Sequence, residues 1–339
     1  MKYIFLIVFN AVFLFSDAAW AGKRKVLLIG IDGVRADALQ AARVPTIQWL
    51  YKNGFGTFES WHQDITISGP SWSSILCGVY HDKHGVTDNG FHGKRYDRYP
   101  MIPLIAKAYD PQLTFGMYME WGKLFRNSAG QGWDQMIRGS LAATEETARK
   151  SAQWITGTDL DFYFVYFGAA DYVGHVSGFS RWNPFYRWSL EDIDMGVNEV
   201  IRGMRSREQY ESEDWLVLLT TDHGGKLLGH GGLSKSERQV FWIGYSDRIQ
   251  RNALCGMDGG NINDPMNPPV FCIRQHSPVQ ADIAITALHH LLYGTLCEES
   301  DLHCWNFDGV SWLSSMGMCN ERKDVREIAY APMKDYFCN

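Results

Sequence analysis

Five short apolar runs, each stopping where a turn must begin, constrain the fold of this chain more than any other feature. Val26-Leu27-Leu28-Ile29-Gly30-Ile31 is apolar throughout. That is the pattern of a strand covered on both faces in a parallel sheet, not of one half-open to water. Thr114–Met119, Phe162–Phe167, Trp215–Thr220 and Val240–Ile243 read as further strands. Between and after them, apolar spacing predicts helices over Ala36–Tyr51, Thr144–Ile155, Ser189–Met204 and Pro278–Leu292. Strands alternating with helices over this length predict an α/β sandwich of three layers, with a mostly parallel central sheet flanked by helices. There is no internal repeat or low-complexity tract, and Gly256–Pro269 reads as a long loop rather than a linker.

The residues just behind the strands carry the chemistry. Asp32 directly follows the first run, Asp171 follows the Phe162–Phe167 run, and Asp222-His223 follows the Trp215–Thr220 run. In open α/β sheets the turns at the carboxyl ends of strands converge, and ligands collect there. Asp171 and His175 are four residues apart, so one turn of chain lets them grip a single ion. Asp222-His223-Gly224-Gly225 and Gly229-His230-Gly231-Gly232 place further ligands in loops that glycine lets turn tightly. Mixed carboxylate and imidazole donors suit zinc or a similar first-row ion, because calcium prefers oxygen alone. Each short motif is weak by itself. Their order, each behind a strand, makes the signal strong.

A candidate nucleophile precedes Pro70 in Ser68-Gly69-Pro70-Ser71-Trp72. Proline suits the first position of a helix running to about Cys77, which places Ser68 just ahead of it, where free N–H groups favour an anion. A neutral serine hydroxyl is a poor nucleophile, and a neighbouring divalent cation would lower its pKa. The plainer reading is a serine that caps the helix, and the two are compatible.

Composition and the chain ends narrow the class. Residues 1–21 open with Lys2, run apolar from Tyr3 to Phe15 and close on Ala19-Trp20-Ala21, the pattern of a signal peptide cleaved after Ala21. A retained anchor is the competing reading, although the run is short of the roughly 20 residues a span needs. No later stretch predicts a transmembrane span, so the expectation is a secreted or periplasmic protein with residues 22–339 as one catalytic domain. Six of the seven cysteines (Cys255, Cys272, Cys297, Cys304, Cys319 and Cys338) crowd into a C-terminal region of about 255–339. In an exported chain they read as disulfides, with the pairing left open, and no Cys-x-x-Cys supports a zinc cluster instead. Cys77 reads as a small buried filler. The net charge is −6 with no basic run, so no nucleic-acid-binding surface is indicated. Phe179, Trp182, Phe185, Tyr186 and Trp188 form a dense aromatic segment that either packs in the core or stacks on a ligand.

Taken together, these motifs resemble the alkaline phosphatase superfamily, and within it the nucleotide pyrophosphatase/phosphodiesterase branch. The resemblance rests on Ile31-Asp32-Gly33, on Ser68 two residues before Pro70, and on Cys77-Gly78 in place of a Thr-Gly pair. His84-Gly85, Asp88-Asn89, Asp171-x-x-x-His175 and Asp222-His223-Gly224 continue it in the family's order. It covers about residues 26–230 and weakens toward the C-terminus. It implies an alkaline-phosphatase-like sandwich and a phosphodiesterase with two divalent metal ions, most simply Zn2+, acting on a small phosphate ester. One ion would be held by Asp171, His175 and His230, the other by Asp32, Asp222, His223 and the Ser68 oxygen. His276 rivals His230, because the family's last histidine often lies farther downstream. Ser68 would carry a phosphoserine intermediate, and Asn89 would hold a phosphate oxygen.

Three other readings differ by identifiable residues. A phosphomonoesterase calls for a fixed cation near the ions, for which Arg35, Lys83 and Lys226 are candidates. Sulfatases share the Ser-x-Pro-Ser layout but need an arginine where Trp72 stands, and they usually carry Asp-Asp where this chain has Asp32-Gly33. An inactive binding protein on the same fold would lack ligands, whereas every ligand type is present here.

Overall fold

The computed structural model describes residues 22–249, 251–269, 277–292 and 305–313. The signal-peptide region, His276 and five of the six C-terminal cysteines lie outside them. In chain order the elements begin β1 (Lys23–Ile31), α1 (Ala36–Ala41), α2 (Pro45–Asn53), β2 (Phe55–Trp61), α3 (Ser68–Cys77) and α4 (His81–His84). They continue with α5 (Ile102–Tyr109), β3 (Phe115–Met119), α6 (Gly122–Asn127), β4 (Gln135–Arg138), α7 (Thr144–Gly157) and β5 (Phe162–Phe167). Then come α8 (Ala169–Ser177), α9 (Pro184–Arg205), β6 (Glu213–Thr220), α10 (Lys235–Arg238), β7 (Gln239–Tyr245), β8 (Asn252–Ala253) and α11 (Asp282–Leu292).

One eight-stranded sheet has the order β4-β3-β5-β1-β6-β7-β2-β8. From β4 to β6 every pairing is parallel, and β7 runs antiparallel to both β6 and β2. The uninterrupted apolar run of β1 sits at the centre, as its composition requires. Val26 and Leu28 point into one core with α3, α5 and α11, while Leu27, Ile29 and Ile31 point into another with α1, α2, α7 and α9. Each of these five side chains is at most 1% exposed, and full burial of such a residue contributes about 1.5–3 kcal/mol. The three-layer α/β sandwich is therefore present.

The expected helix over Ala36–Tyr51 is two helices. The first turns extended at Ala42, and Pro45, which cannot donate to a preceding turn, opens the second. Helix α3 also starts earlier than expected. Ser68 is its first residue, Ile67 occupies the cap position, and no side chain caps it. Ser68 is thus not a helix cap. Cys77, buried in α3, is a free thiol that burial holds largely protonated, and Cys255 is not free. No helix among the described residues is long and apolar enough to cross a membrane.

Strand register sets the site. Ile31 pairs with Phe167 and Gly30 with Thr220, so β1, β5 and β6 end level with one another. Whatever follows them emerges along one edge.

Candidate metal centre and nucleophile

Asp32 follows β1, Asp171 lies in the first turn of α8 just after β5, and Asp222 and His223 follow β6. Helix α8 puts Asp171 and His175 one turn apart on the same side. The loop between β6 and α10 carries His230 back to them. Two triads result: Asp171, His175 and His230, and Asp32, Asp222 and His223, each with its ligand atoms within 4.8 Å of one another. Close approach of backbone permits this. A Cβ on Gly33, whose φ is +70°, would lie 2.7 Å from the Asp171 Cα, and one on Gly224 would lie 2.1 Å from the Ser236 carbonyl oxygen.

The three imidazoles are oriented in one way. His223 Nδ1–H donates to the Gly224 carbonyl at 2.8 Å, His175 Nδ1–H to the Leu228 carbonyl at 2.8 Å, and His230 Nδ1–H to the Thr66 carbonyl at 3.0 Å. A carbonyl only accepts, so each ring carries its proton on Nδ1 and turns an Nε2 lone pair inward. His175 and His230 then face each other Nε2 to Nε2 at 3.1 Å with no proton between them. Their Nε2 atoms lie 3.4 and 3.6 Å from Asp171 Oδ1. His223 Nε2 is 3.2 Å from Asp222 Oδ2 and 3.8 Å from Asp32 Oδ1.

Electrostatics point the same way. Asp32 Oδ1, Asp171 Oδ1 and Asp222 Oδ2 are buried without a hydrogen-bond partner among the described residues. Burial pushes all three carboxyls up, with their mutual repulsion adding to the rise at Asp32 and Asp171. Burial also holds His223 at about 4 and His230 at about 3, so both rings are neutral near neutral pH. Inward lone pairs and orphaned carboxylate oxygens in a buried pocket cost several kcal/mol unless a cation meets them. The donor set fits two divalent ions, and its nitrogen content fits zinc better than magnesium or calcium.

Ser68 stands beside the second triad. It is 5% exposed, and its Oγ lies 3.2 Å from His223 Nε2. Asn89 is adjacent. The Gly69 N–H donates to Asn89 Oδ1 at 2.7 Å, which fixes the amide and leaves its NH2 group to donate elsewhere. Of the three basic candidates, Arg35 is spent on Asp37 and on the Phe179 and Gly225 carbonyls. Lys83 is spent on Asp308 and the Asn306 carbonyl, and Lys226 is exposed on its loop. The aromatic segment divides: Phe179 and Tyr186 are core, whereas Trp182, Phe185 and Trp188 are exposed.

The motifs missed a supporting layer. Trp72 Nε1–H donates to Asp32 Oδ2 at 3.2 Å and the Tyr166 hydroxyl donates to the same oxygen, which leaves Oδ1 alone to face the triad. His62 accepts from the Asp64 N–H at Nδ1, so its Nε2–H donates to Ser71 Oγ at 2.7 Å and locks the loop 62–67 to α3. Asp64 in turn pairs with His81 at 2.5 Å. His62, Asp64 and Ser71 resemble a catalytic triad in residue type, but the proton directions make them a brace. The signal for such partners is not in any motif, because it depends on which side chains the fold brings within reach.

A family model described as type I phosphodiesterase / nucleotide pyrophosphatase matches residues 26–232. The bis(5'-adenosyl)-triphosphatase ENPP4 of Bos taurus is 24% identical over 246 residues, which is 66% of this chain and 53% of that protein. A pyrophosphatase/phosphodiesterase of Schizosaccharomyces pombe, described as uncharacterized, is 22% identical over 236 residues, 62% of this chain and 46% of its own. The chain spans about half the length of the curated relatives it matches. Among solved structures, a 2-O GAG sulfatase superposes with a TM-score of 0.63 at 11% identity, covering 87% of this chain and 74% of that one, a likeness of fold alone.

Proposed function

This chain belongs to the type I phosphodiesterase / nucleotide pyrophosphatase family, and from that premise we propose that it is an exported two-metal hydrolase of phosphodiesters that uses Ser68 as nucleophile. The observation that carries the proposal is the convergence of three inward Nε2 lone pairs and three orphaned carboxylate oxygens beside one serine hydroxyl. Asp171, His175 and His230 would hold one ion, and Asp32, Asp222, His223 and Ser68 Oγ the other. When bound, the ions supply Lewis acidity that lowers the pKa of a hydroxyl and neutralises charge on phosphate.

The chain's own groups do the rest. Trp72 and Tyr166 hold Asp32 so that a single oxygen faces inward. The turn at Ile67–Ser68 places Oγ at the start of α3, at the positive end of the helix dipole, which favours an anion. Ser68 Oγ forms the new bond to phosphorus, the bond to the departing alcohol breaks, and water later cleaves the phosphoserine. Asn89, its Oδ1 fixed by Gly69, donates from Nδ2 to a non-bridging phosphate oxygen and strengthens that bond as charge grows. Preference for a diester is supported by the state of the basic residues. A monoester dianion calls for a fixed cation, and Arg35 and Lys83 are already engaged.

The sulfatase-like superposition adds no second reading, because Trp72 fills the place of the arginine that chemistry needs and is bound to Asp32. The test is Ser68→Ala. Turnover of a diester should fall to background while zinc content and melting temperature stay near wild type, and a quenched wild-type reaction should yield a phosphorylated Ser68 peptide. Near-normal turnover in Ser68→Ala, with Thr66→Ala inactive, would move the nucleophile.

A further inference from the structure

The rim of the ion site is apolar, aromatic and basic at once. Helix α8 exposes Tyr172 and Val176 at 51% and 68%, four residues apart on the side that carries His175. The loop holding His230 exposes Leu227 at 77% and Leu228 at 59%. Trp182 is 80% exposed, and the first two turns of α9 add Phe185 and Trp188. These segments are physically continuous. Phe179 N–H donates to the Leu227 carbonyl at 2.7 Å, Leu228 receives His175, and the Asn183 amide ties Trp182's neighbour to the carbonyls of Ser177 and Gly178. A contiguous exposed patch of this kind marks an interaction surface rather than ordinary scatter.

Charge selects the partner. Residues 172–190 and 223–236 contain Arg181, Arg187, Lys226 and Lys235 and not one aspartate or glutamate, in a chain whose net charge is −6. The carboxylates that reach these segments from outside are already engaged: Asp37 with Arg35, Glu191 with Arg187 at 3.9 Å, Glu237 with the Gly232 and Ser234 N–H groups, and Asp32, Asp171 and Asp222 within the ion site. The Arg181 guanidinium lies 5.0 Å from the Trp182 ring centroid. Aromatic rings with basic groups among them suit the headgroup layer of a bilayer, where rings enter and cations meet lipid phosphates. A protein partner of the same chemistry would need its own acidic, apolar face. An anionic membrane supplies both features everywhere.

We propose that this face docks the protein on an anionic lipid surface, with Trp182, Phe185, Leu227 and Leu228 entering the headgroup layer and Arg181 and Lys226 contacting lipid phosphates. Docking so places the ion site at the membrane interface. The inference is independent of the catalytic reading, since vesicle binding is measured without turnover.

Zinc-loaded full-length protein is sedimented with phosphatidylcholine vesicles with and without phosphatidylglycerol. The wild type should pellet with the anionic vesicles, and far less with phosphatidylcholine alone or at high salt. Arg181→Ala/Lys226→Ala should weaken anionic binding about 25-fold, at about fivefold for each basic residue. Trp182→Ser/Phe185→Ser/Leu227→Ser should weaken it about tenfold or more while melting like the wild type, because these side chains are exposed. A wild type that stays in the supernatant with both lipids overturns the proposal, as do variants that bind unchanged. A wild-type dimer dispersed by the Trp182 variant, without vesicle binding, overturns it in favour of contact between copies of this chain.

Discussion

Asp222→Asn tests most directly whether cations hold the strand-end carboxylates together. The ligand oxygens of Asp32 and Asp222 lie within 4.8 Å of one another. Two unit charges at that separation repel by about 3.5 kcal/mol at an effective dielectric constant of about 20. The substitution removes one charge while Oδ1 still accepts from the Gly33 N–H, a bond of 3.0 Å in the wild type. The amide nitrogen takes the place of Asp222 Oδ2, 3.2 Å from His223 Nε2, so a donor faces a lone pair where two acceptors now meet. In the presence of a chelator the variant should therefore be more stable than the wild type by about 3 kcal/mol, or roughly 6 °C at about 2 °C per kcal/mol. Zinc should invert the order. Ligand at a thousand times its Kd stabilises the wild type by about 4.1 kcal/mol, more than the roughly 3 kcal/mol that separates the chelated proteins, and losing a ligand forfeits much of that gain in the variant. Thermal unfolding followed by circular dichroism at about pH 8.5, above the value of about 7 to which burial raises Asp32 and Asp222, reads both proteins with chelator and with zinc. If the chelated variant melts below the chelated wild type, or if zinc raises both equally, the reasoning is refuted.

Three further outcomes are expected. Chelation should abolish turnover and zinc should restore it, since three of the six triad donors are imidazole nitrogens for which hard ions compete poorly; full activity in calcium, with no transition metal detected, contradicts this. Bis-p-nitrophenyl phosphate should be cleaved in preference to p-nitrophenyl phosphate, and Asn89→Ala should cost about 3 kcal/mol of transition-state stabilisation, about a hundredfold in rate; an unchanged rate would leave Asn89 only a turn residue. Lastly, His81→Gln should reveal a pH-dependent brace. The bond to Asp64 raises His81, so that contribution is complete below about 6.5 and fades as pH climbs through the raised value. Burial would raise Asp64, but the His81 bond and charge outweigh it and hold it low, so its share is lost only as pH falls below about 4. The stability gap between wild type and variant should be about 2 kcal/mol near pH 6 and shrink toward pH 9, and a gap that widens with pH would reverse the assignment.

The buried centre of the sheet was legible in the sequence because a strand covered on both faces must be apolar throughout. Phe162–Phe167 was located to the residue, and β1, β3, β6 and β7 to within three residues at either end. Strands β2, β4 and the two-residue β8 were missed. Phe55–Trp61 contains Gly56, Glu59 and Ser60 and pairs across an irregularity at Thr57–Ser60, while Gln135–Arg138 is a short, half-buried edge. Their strand character comes from a neighbour's backbone rather than from their own side chains. The candidate ligands were legible because each follows a strand. What holds them was not. Trp72 was read only as a replacement for arginine, and its bond to Asp32 depends on α3 crossing the end of β1.

The three carbonyls that orient the imidazoles belong to Thr66, Gly224 and Leu228, and a carbonyl is present at every position of any chain. Mutation can replace the Thr66 or Leu228 side chain without deleting the acceptor that sets the ring beside it. Drift in these loops can therefore alter rim chemistry while leaving the proton on Nδ1 of each histidine. The tautomers of this site are encoded by chain path, and only a change that moves the backbone can erase them.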